Sequence, residues 1–309
     1  MNRFLSFAAL LAVTFPTFAY DGASAEDAPN AYPGYKLVFQ DEFDKGTVPD
    51  PEVWTFETGF CRNHEDQYYQ QVSDNPDMLP NCRIEDGMLL IECRKEKVPN
   101  KDYQAGSDRW NRKNQFSTYT SGSMQTRRDK GYQWYQGIFE AKVFLPIFSG
   151  AWPAFWSTGN QAEWPFGGEI DFMEYYRDRI LGNVAWGADG RNKARWNSKS
   201  PMISEFGENF PNEWHIFKMV WDDDFIRLYM DDILINEVNL DETVNHNMNE
   251  GWYDRTDYNP FRDPANTQIC WLNFALGGDN GGAIDDSKLP ALYKVDWVRV
   301  YQPDGTPQP

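Results

Sequence analysis

Apolar and polar residues alternate with a period of two through much of the chain. From Phe139 to Leu145 every second residue is apolar, and Pro146 ends the run. Because successive side chains of a β-strand point to opposite faces of a sheet, this pattern predicts a half-buried strand. Five further segments have strand character: Leu37–Phe39, Met88–Glu92, Trp214–Trp221, Cys270–Leu276 and Val295–Tyr301.

A hairpin is predicted where one alternating run stops and another begins. Ile226, Leu228 and Met230 alternate with polar or aromatic residues, Asp231-Asp232 interrupts the pattern, and apolar residues resume at Ile233. Long amphipathic helices and repeats of fixed period are not apparent in the pattern. Many strands separated by turns indicate an all-β protein, a sandwich or barrel, in one domain.

Composition narrows the class of protein. The chain has 309 residues, of which 41% are hydrophobic, which argues against a disordered protein. The net charge is −18, and such an acidic surface repels phosphate backbones and anionic lipid, so we expect no nucleic-acid or membrane partner. Aromatic residues make up 16% of the chain, which suggests surfaces on which ligands can stack.

The first 25 residues have the pattern of a signal peptide. Arg3 supplies a positive charge, an apolar run extends from Phe4 to Phe15, and cleavage sites follow after Ala19 or Ala25. This run is too short to span a bilayer as a helix, and we expect a secreted or periplasmic protein. Residues 26–34 are then predicted to be a short linker, residues 35–302 a single domain, and residues 303–309 a tail.

The four cysteines leave their pairing open. Cys61 and Cys82 flank a polar loop that a disulfide could close in an oxidising compartment, whereas Cys93 and Cys270 lie in apolar runs typical of buried thiols. There is no Cys-x-x-Cys pair, which disfavours a zinc site.

The sharpest chemical feature is a group of three acids in six residues. On a strand, Glu169 and Asp171 share one face and Ile170 the other, whereas Glu174 has the wrong parity. One extra residue, a β-bulge near Phe172–Met173, would return Glu174 to the face of the other acids. The pattern therefore predicts a bulged strand with three carboxylates on one face.

Adjacent carboxylates repel one another, so a fold accepts them mainly where they work. Retaining glycoside hydrolysis needs a nucleophilic carboxylate beside a protonated acid, and a hard-cation site needs several oxygens. A solvated acidic strand edge is the third alternative, which the interleaved apolar residues disfavour. Tryptophans flank the acids and suit sugar rings, although a core position is equally consistent with each one: Trp152, Trp156, Trp164, Trp186 and Trp196.

The segment Glu169–Glu174 resembles the E-x-D-x-x-E motif of glycoside hydrolase family 16. Other segments agree in order: Phe39–Phe43, Tyr135–Ala141, Trp152–Trp156, Leu272–Gly278 and Val295–Tyr301. The resemblance covers residues 35–302. It implies a β-sandwich jelly roll of two curved antiparallel sheets, with a cleft on the concave face, and a retaining endo-hydrolase.

The resemblance also implies roles for the three acids. Glu169 corresponds to the nucleophile, and Glu174 to the general acid that protonates the leaving oxygen and then activates water. Asp171 is expected to hydrogen-bond Glu169 and to influence the pKa of both glutamates. Serine or cysteine hydrolysis has no support, because no Gly-x-Ser-x-Gly segment is present.

In detail the chain is most similar to the laminarinase-like branch of the family. The segment Asn63–Tyr69 resembles a loop that borders the non-reducing subsites, which implicates Asn63 and Glu65, and Arg94 resembles a substrate-binding arginine. Asn273 lies in a matching segment and is a further substrate-binding candidate. The branch often has a histidine two residues after a pair such as Asn183-Val184, whereas this chain continues with Ala185-Trp186.

Two substrate classes stay open within the family. The leading interpretation is a monomeric endo-hydrolase of β-1,3- or β-1,3-1,4-glucan. The basic segment Asp189–Lys199 could meet sulfate on red-algal galactans such as agar, porphyran or carrageenan, or it could be a solvated hairpin. A non-catalytic carbohydrate-binding protein is the remote alternative, because all three acids are present.

The resemblance also suggests a structural calcium ion on the convex face. By position, Glu42, the backbone carbonyl of Gly87, and Asp296 match its ligands, and oxygen ligands suit Ca²⁺. Ordinary surface contacts of the two carboxylates are the alternative.

Overall fold

The computed structural model describes residues 22–71, 77–188, 190–245 and 257–306, without the side chains of residues 188 and 190–192. Strands dominate these ranges. Their bounds are β1 Tyr35–Asp41, β2 Trp54–Phe56, β3 Gln67–Tyr69, β4 Cys82–Glu85, β5 Met88–Cys93, β6 Val98–Pro99, β7 Phe116–Ser117, β8 Tyr119–Ser121, β9 Ser123–Thr126, β10 Gly137–Phe144, β11 Ala151–Gly159, β12 Glu169–Tyr176, β13 Arg179–Ala188, β14 Gly190–Lys199, β15 His215–Trp221, β16 Phe225–Met230, β17 Ile233–Asn239, β18 Gln268–Leu276 and β19 Ala291–Pro303.

Helical segments in the described ranges are short. One α-helical turn, α1, covers Gly278–Gly281. The 3₁₀ turns are Ala28–Asn30, Arg128–Lys130, Ile203–Phe206, Phe210–Asn212, Leu240–Glu242 and Asp286–Lys288. None of the helices in the described part of the chain is long and apolar enough to cross a membrane.

Two large antiparallel sheets face each other. One has the order β17-β16-β15-β10-β19-β5-β4, with β1 also paired to β19, and the other has the order β14-β13-β12-β11-β18-β9-β2. Inward-facing residues of both sheets form one hydrophobic core, in which Phe139 of the first sheet packs against Phe172 of the second, and Phe172 packs against Phe155. The all-β jelly-roll sandwich expected from the sequence is confirmed.

The strands predicted from the period-two pattern are present. The run ended by Pro146 is β10, and the predicted hairpin is β16 and β17. Asp231 and Asp232 form its turn with φ angles of 48° and 64°, the left-handed conformation that two-residue hairpin turns need. Asp231 is held there by the backbone N–H of Ile216, which donates to its carboxylate.

The segment predicted as a linker is packed against the sandwich. Ala28 is fully buried, and the Tyr32 ring packs edge-on against Tyr301 at 4.9 Å. The Tyr32 hydroxyl donates to Glu140 at 2.6 Å. Residues 26–34 therefore add an apolar cover to the first sheet instead of a free connection, because Ala28 and Tyr32 both find buried partners. Of the predicted signal peptide, residues 1–21 lie outside the described residues.

The Cys61–Cys82 disulfide expectation is not met, because all four cysteines are free thiols. Cys61 lies near Glu57 and Arg62, whereas Cys82 is buried beside Ile91 in the β4–β5 pairing. The two thiols thus belong to different surroundings. Burial raises the pKa of Cys82 to about 12 and that of Cys93 well above its usual value. These thiols stay protonated at neutral pH.

Candidate active site

The three acids of β12 share the open face of the second sheet because the strand carries the predicted bulge. Against β13, Asp171 is opposite Asn183 and Glu174 is opposite Leu181, so three steps along β12 match two along β13. The opposite neighbour, β11, shows a register shift at the same place. Ile170 points into the core and is fully buried. The bulge prediction is confirmed.

Glu174 is held by two nitrogen donors. The Trp152 indole N–H donates to one carboxylate oxygen at 2.7 Å, and the Asn183 amide donates to the other at 2.9 Å. Asn183 also donates to Asp171 at 3.1 Å. These contacts fix the orientation of the Glu174 carboxyl group, as a proton donor to a leaving group requires.

Glu169 has different surroundings. It accepts a hydrogen bond from the exposed Trp164 side chain, and the positive charge of Arg62 lies near enough to act on its pKa. Asp171 hydrogen-bonds Glu174, whereas the sequence led us to expect a bond to Glu169. The hydrogen bond between carboxyl groups of this strand therefore joins Asp171 to Glu174.

Burial raises the pKa of all three carboxyl groups, and repulsion by neighbouring carboxylates adds to the rise for Glu169 and Asp171. For Glu169, desolvation and the Glu174 charge raise the pKa to about 8, against the opposing influence of Trp164 and Arg62. For Asp171, burial and both glutamates raise the pKa well above its usual value. Desolvation also raises the pKa of Glu174, although its three hydrogen bonds lower it. The cluster therefore retains protons at neutral pH, and paired acid and nucleophile roles need one glutamate of such a cluster to be protonated and the other ionised.

A stacked pair of indoles extends the open face on the β11 side of the acids. Trp156 and Trp271 are parallel within 17°, with ring centroids 5.0 Å apart. The Arg62 guanidinium lies over both rings at 5.2 and 5.4 Å. Asn273 accepts from the Trp156 N–H at 2.7 Å and donates to the Tyr69 hydroxyl at 3.1 Å. Asn273 thus orients the Trp156 ring.

The loop predicted to border the cleft lies beside this pair. Asn63 is exposed and donates to Glu65 at 3.3 Å, and the Gln67 amide donates to Glu65 at 2.7 Å. Burial raises the pKa of Glu65 to about 7, and Arg62 opposes that shift. Arg94 is 5% exposed, and its guanidinium donates to the Leu79 carbonyl. The substrate role of Arg94 stays a prediction.

The predicted tryptophans occupy three kinds of position. Trp164 is 41% exposed beside Glu169, and Trp156 is half-buried in the stacked pair. Trp152 is 5% exposed, so it acts on the site mainly through its N–H bond to Glu174. Trp186 is 3% exposed and its ring packs in the core. Substrate contact by these residues stays a prediction.

Three site residues were missed by sequence reasoning: Arg62, Asn183 and Trp271. Trp271 had a detectable signal, because it lies two residues before Asn273 on one strand and so shares its face. Asn183 becomes visible only through the pairing of β13 with β12. Arg62 is placed by the fold of a loop, which no periodicity predicts.

The predicted calcium ligands already carry cationic partners. Arg299 donates to both carboxylate oxygens of Glu42, at 2.8 and 2.9 Å, and the ammonium of Lys142 lies 3.3 Å from Asp296. Among residues 22–71, 77–188, 190–245 and 257–306, no group of three or more His, Cys, Asp or Glu side chains could hold a metal ion. The donor set as arranged does not fit Ca²⁺, which would have to displace Arg299. Calcium at this position stays a prediction.

Comparison with known proteins matches this geometry. The model for "Glycosyl hydrolases family 16" matches residues 91–299. "Beta-glucanase" of Rhodothermus marinus is 30% identical over 288 residues, which cover 89% of this chain and 88% of that protein. The chain belongs to glycosyl hydrolase family 16. Within this family, the E-x-D-x-x-E segment of β12 is the motif recognised in the sequence.

Other members of family 16 are similar over most of this chain. "Glucan endo-1,3-beta-glucosidase A1" of Niallia circulans is 30% identical over 287 residues, covering 88% of this chain but 38% of that protein. The chain thus spans well under half the length of that relative. A solved structure described by "Prominent members of the human gut microbiota express endo-acting O-glycanases to initiate mucin breakdown" has a TM-score of 0.73 and 31% identity, covering 88% of this chain and 92% of that chain.

Proposed function

We propose that this family 16 protein is a retaining endo-hydrolase that cleaves internal β-linkages of a β-1,3- or β-1,3-1,4-glucan. The observation that carries the proposal is the bulge in β12, which brings Glu169 and Glu174 to one open face with separate hydrogen-bond partners. The choice of a glucan is supported by two relatives, the beta-glucanase of Rhodothermus marinus and the glucan endo-1,3-beta-glucosidase A1 of Niallia circulans.

The reaction runs in two steps. In the first, ionised Glu169 attacks the anomeric carbon while protonated Glu174 gives its proton to the departing glycosidic oxygen, which leaves a glycosyl ester on Glu169. In the second, the Glu174 carboxylate takes a proton from water, and the resulting hydroxide oxygen attacks the same carbon and releases Glu169. The Trp164 N–H and the Arg62 charge favour the ionised form of Glu169 that begins this cycle.

Replacement of the two glutamates tests the proposal. With laminarin as substrate, we expect Glu169→Gln and Glu174→Gln each to lower kcat by at least roughly 10²-fold, because positioned acid–base groups contribute about 10²–10⁴-fold. Glu208→Gln, at an exposed residue in the connection between β14 and β15, is the control and should retain wild-type turnover. Well-folded glutamine variants with losses below roughly tenfold would contradict the assignment.

Product stereochemistry tests the nucleophile separately. We expect the first product from a β-linked glucan to be the β-anomer, because two displacements at one carbon restore its configuration. NMR spectra recorded in the first moments of hydrolysis measure the anomer directly. An initial α-anomer would exclude Glu169 as a covalent nucleophile.

A second candidate substrate is an O-glycan, and one observation favours it. The structural relative with a TM-score of 0.73 is described in terms of endo-acting O-glycanases and mucin. A panel of laminarin, mixed-linkage glucan, mucin O-glycans, agarose, porphyran and carrageenan, with products identified by mass, separates these substrates. Cleavage of mucin O-glycans without cleavage of laminarin would show that the substrate is an O-glycan and not a glucan.

We also propose export, with removal of the signal peptide after Ala19. Arg299 donates to the backbone carbonyl of Ala23 at 2.6 Å, and cleavage after Ala25 would remove that acceptor from a buried guanidinium. The mass of the N-terminal peptide of the exported protein distinguishes the two cleavage sites.

A further inference from the structure

His215, the first residue of β15, is buried where three elements of the chain meet. Its side chain is 6% exposed, and its ring stacks on that of Phe210 with centroids 4.1 Å apart. Phe210 begins a 3₁₀ turn in the connection from β14 to β15, and Asp231 lies in the turn between β16 and β17. A buried histidine is neutral or charged according to the hydrogen bonds that its two ring nitrogens make.

Both ring nitrogens of His215 face hydrogen-bond acceptors. Nδ1 lies 2.6 Å from the carboxylate of Asp231, and Nε2 lies 3.0 Å from the backbone carbonyl oxygen of Phe210. A carbonyl oxygen can only accept a hydrogen bond, and so can an ionised carboxylate. A neutral imidazole has one N–H, whereas the imidazolium has two and satisfies both contacts. The geometry therefore calls for a proton on each ring nitrogen.

The backbone of the neighbouring strand holds Asp231 in its position beside the ring. The Ile216 N–H donates to the second carboxylate oxygen of Asp231 at 2.8 Å, and the Asp231 N–H donates to the carbonyl oxygen of Ile216 at 2.9 Å. The Asp231 side chain is 23% exposed, so water reaches it. A hydrogen-bond donor and contact with water both favour a charged carboxylate. The proton between Asp231 and His215 therefore belongs to the ring.

The charges around the ring also favour the imidazolium. Asp231 and Glu213 are the charged groups that act on it, and both are negative. Although burial lowers the pKa of His215, the hydrogen bonds to Asp231 and Phe210 and these two charges raise it above its ordinary value. Two cations of the adjoining strands have carboxylate partners of their own, Lys218 with Asp232 and Lys142 with Asp296.

The connection that His215 holds also reaches the strand that carries the catalytic acids. The Ile203 N–H of this connection donates to the carbonyl oxygen of Asp178 at 2.9 Å, and the Ile180 N–H donates to the carbonyl oxygen of Pro201 at 3.1 Å. Asp178 lies in the turn that directly follows β12. Contacts of the connection from β14 to β15 therefore link His215 in the first sheet to the end of β12 in the second.

We propose that His215 is an imidazolium that holds the connection from β14 to β15 against the first sheet, and that loss of its proton at alkaline pH releases this connection. A neutral ring has one N–H, so its contact with either Asp231 or Phe210 is lost. The connection and the β12–β13 turn then open locally before the sandwich unfolds. Because the pKa of His215 is raised in the folded chain, its stabilisation is complete below the unfolded pKa of about 6.5 and is lost as pH rises through the folded pKa.

Histidine-selective NMR tests the charge of the ring. We expect His215 to titrate at higher pH in the folded protein than in the urea-unfolded chain, with a proton on both ring nitrogens below its midpoint. The resonance is assigned by its absence from His215→Gln. Asp231→Asn keeps an oxygen for Nδ1 and suits the φ of 48° at this position, so it should lower the midpoint by removing the charge alone. A folded midpoint equal to or below the unfolded one would overturn the proposal.

Urea unfolding measures what the proton contributes to stability. We expect His215→Gln to raise the unfolding equilibrium constant by at least roughly tenfold at about pH 6, since a hydrogen bond to a charged group contributes about that factor. The ratio to wild type should fall as pH rises toward about 9, because wild type then loses the proton. His64→Gln is the matched control: His64 also pairs with an aspartate, Asp279 at 3.0 Å, but both side chains are well exposed.

The exposed pair should contribute little, so we expect the His64→Gln ratio to stay near one at both pH values. A ratio for His215→Gln that is the same at both would contradict a role for the proton. Should His215→Gln fail to fold, the wild-type titration and Asp231→Asn still decide the question.

Hydrogen exchange tests the local opening in wild-type protein. After correction for the intrinsic effect of pH, exchange of the Ile180 and Ile203 amides should accelerate between about pH 6 and pH 9 more than that of Phe139 in the middle of β10. Equal acceleration at all three amides would show that the whole sandwich loosens, and it would overturn the release of the connection.

Discussion

At the scale of single residues, the three carboxyl groups on one face of β12 create electrostatic strain. Burial opposes their ionisation, and each charge opposes the next. The fold offsets part of this cost with N–H donors from Trp152, Trp164 and Asn183. Chemistry at this site therefore depends on a local instability that the rest of the sandwich tolerates.

Glu169→Gln should stabilise the protein, and more so at higher pH. The pKa of Glu169 is about 8 in the folded chain against 4.5 as its ordinary value, so the folded state holds a proton that the unfolded chain releases between these limits. Wild-type stability thus falls as pH rises through this window. We expect Tm of the variant minus Tm of wild type to be at least roughly 2 °C larger at pH 8 than at pH 4.5. Calorimetry measures the two Tm values, and a Tm difference that becomes smaller as pH rises would contradict the raised pKa of Glu169.

Asp171 gives a second test through the pH profile of kcat/KM. Its raised pKa keeps it protonated, and its hydrogen bond lowers the pKa of Glu174. Asp171→Ala removes that donor, so the alkaline limb, where Glu174 loses its proton, should move upward by roughly one unit. Asp171→Asn keeps an N–H donor and should move the alkaline limb less. A downward shift in both variants would mean that Asp171 is ionised.

The sequence predicted the parts of the site whose residues lie close together on one strand. The spacing of Glu169, Asp171 and Glu174 within one strand predicts that they share a face, and it also predicts the bulge. Asn183 supports two of these acids from the neighbouring strand, and pairing across strands is not written in local spacing.

At the scale of elements, period-two alternation predicted β1, β5, β10 and β15 to β19. It missed three long strands. In β11 and β13 residues of both faces are buried, whereas in the outer strand β14 Arg195, Trp196 and Ser198 are all exposed, so these strands have little contrast between their faces. It also missed the short strands β2 to β4 and β6 to β9, which contain too few residues to show a period. The docking of residues 26–34 depends on tertiary contacts with Glu140 and Tyr301.

The start of β10 offers a stability test. Gly137 has φ of +119°, and a Cβ there would lie 2.1 Å from the carbonyl oxygen of Tyr301 in β19. Since backbone cannot yield easily, Gly137→Ala should lower the free energy of unfolding by about 3 kcal/mol, from conformational strain and overpacking together. Gly131→Ala is the matched control, because its φ is +86° but nothing lies within 4 Å of a Cβ. Its loss should be about 1 kcal/mol, and equal losses in urea unfolding would exclude the collision.

At the scale of the whole molecule, the net charge of −18 sets the response to salt. A neutral glucan gains nothing from this field, so we expect KM for laminarin to change less than roughly twofold between low salt and about 0.5 M NaCl. Alanine replacement of Lys193 and Arg195 together should leave that independence intact. A steep rise of KM with salt would instead show that the polysaccharide carries charge.

The basic residues of β14 have a consequence for self-association. As the outermost strand of its sheet, β14 presents a row of backbone N–H and C=O groups that another chain could pair with. Lys193, Arg195 and Lys199 are exposed along it. Two copies meeting edge to edge would bring these cations together, and their repulsion opposes the growth of an intermolecular sheet. The positive charge of β14, in an otherwise acidic protein, thus opposes aggregation through this edge.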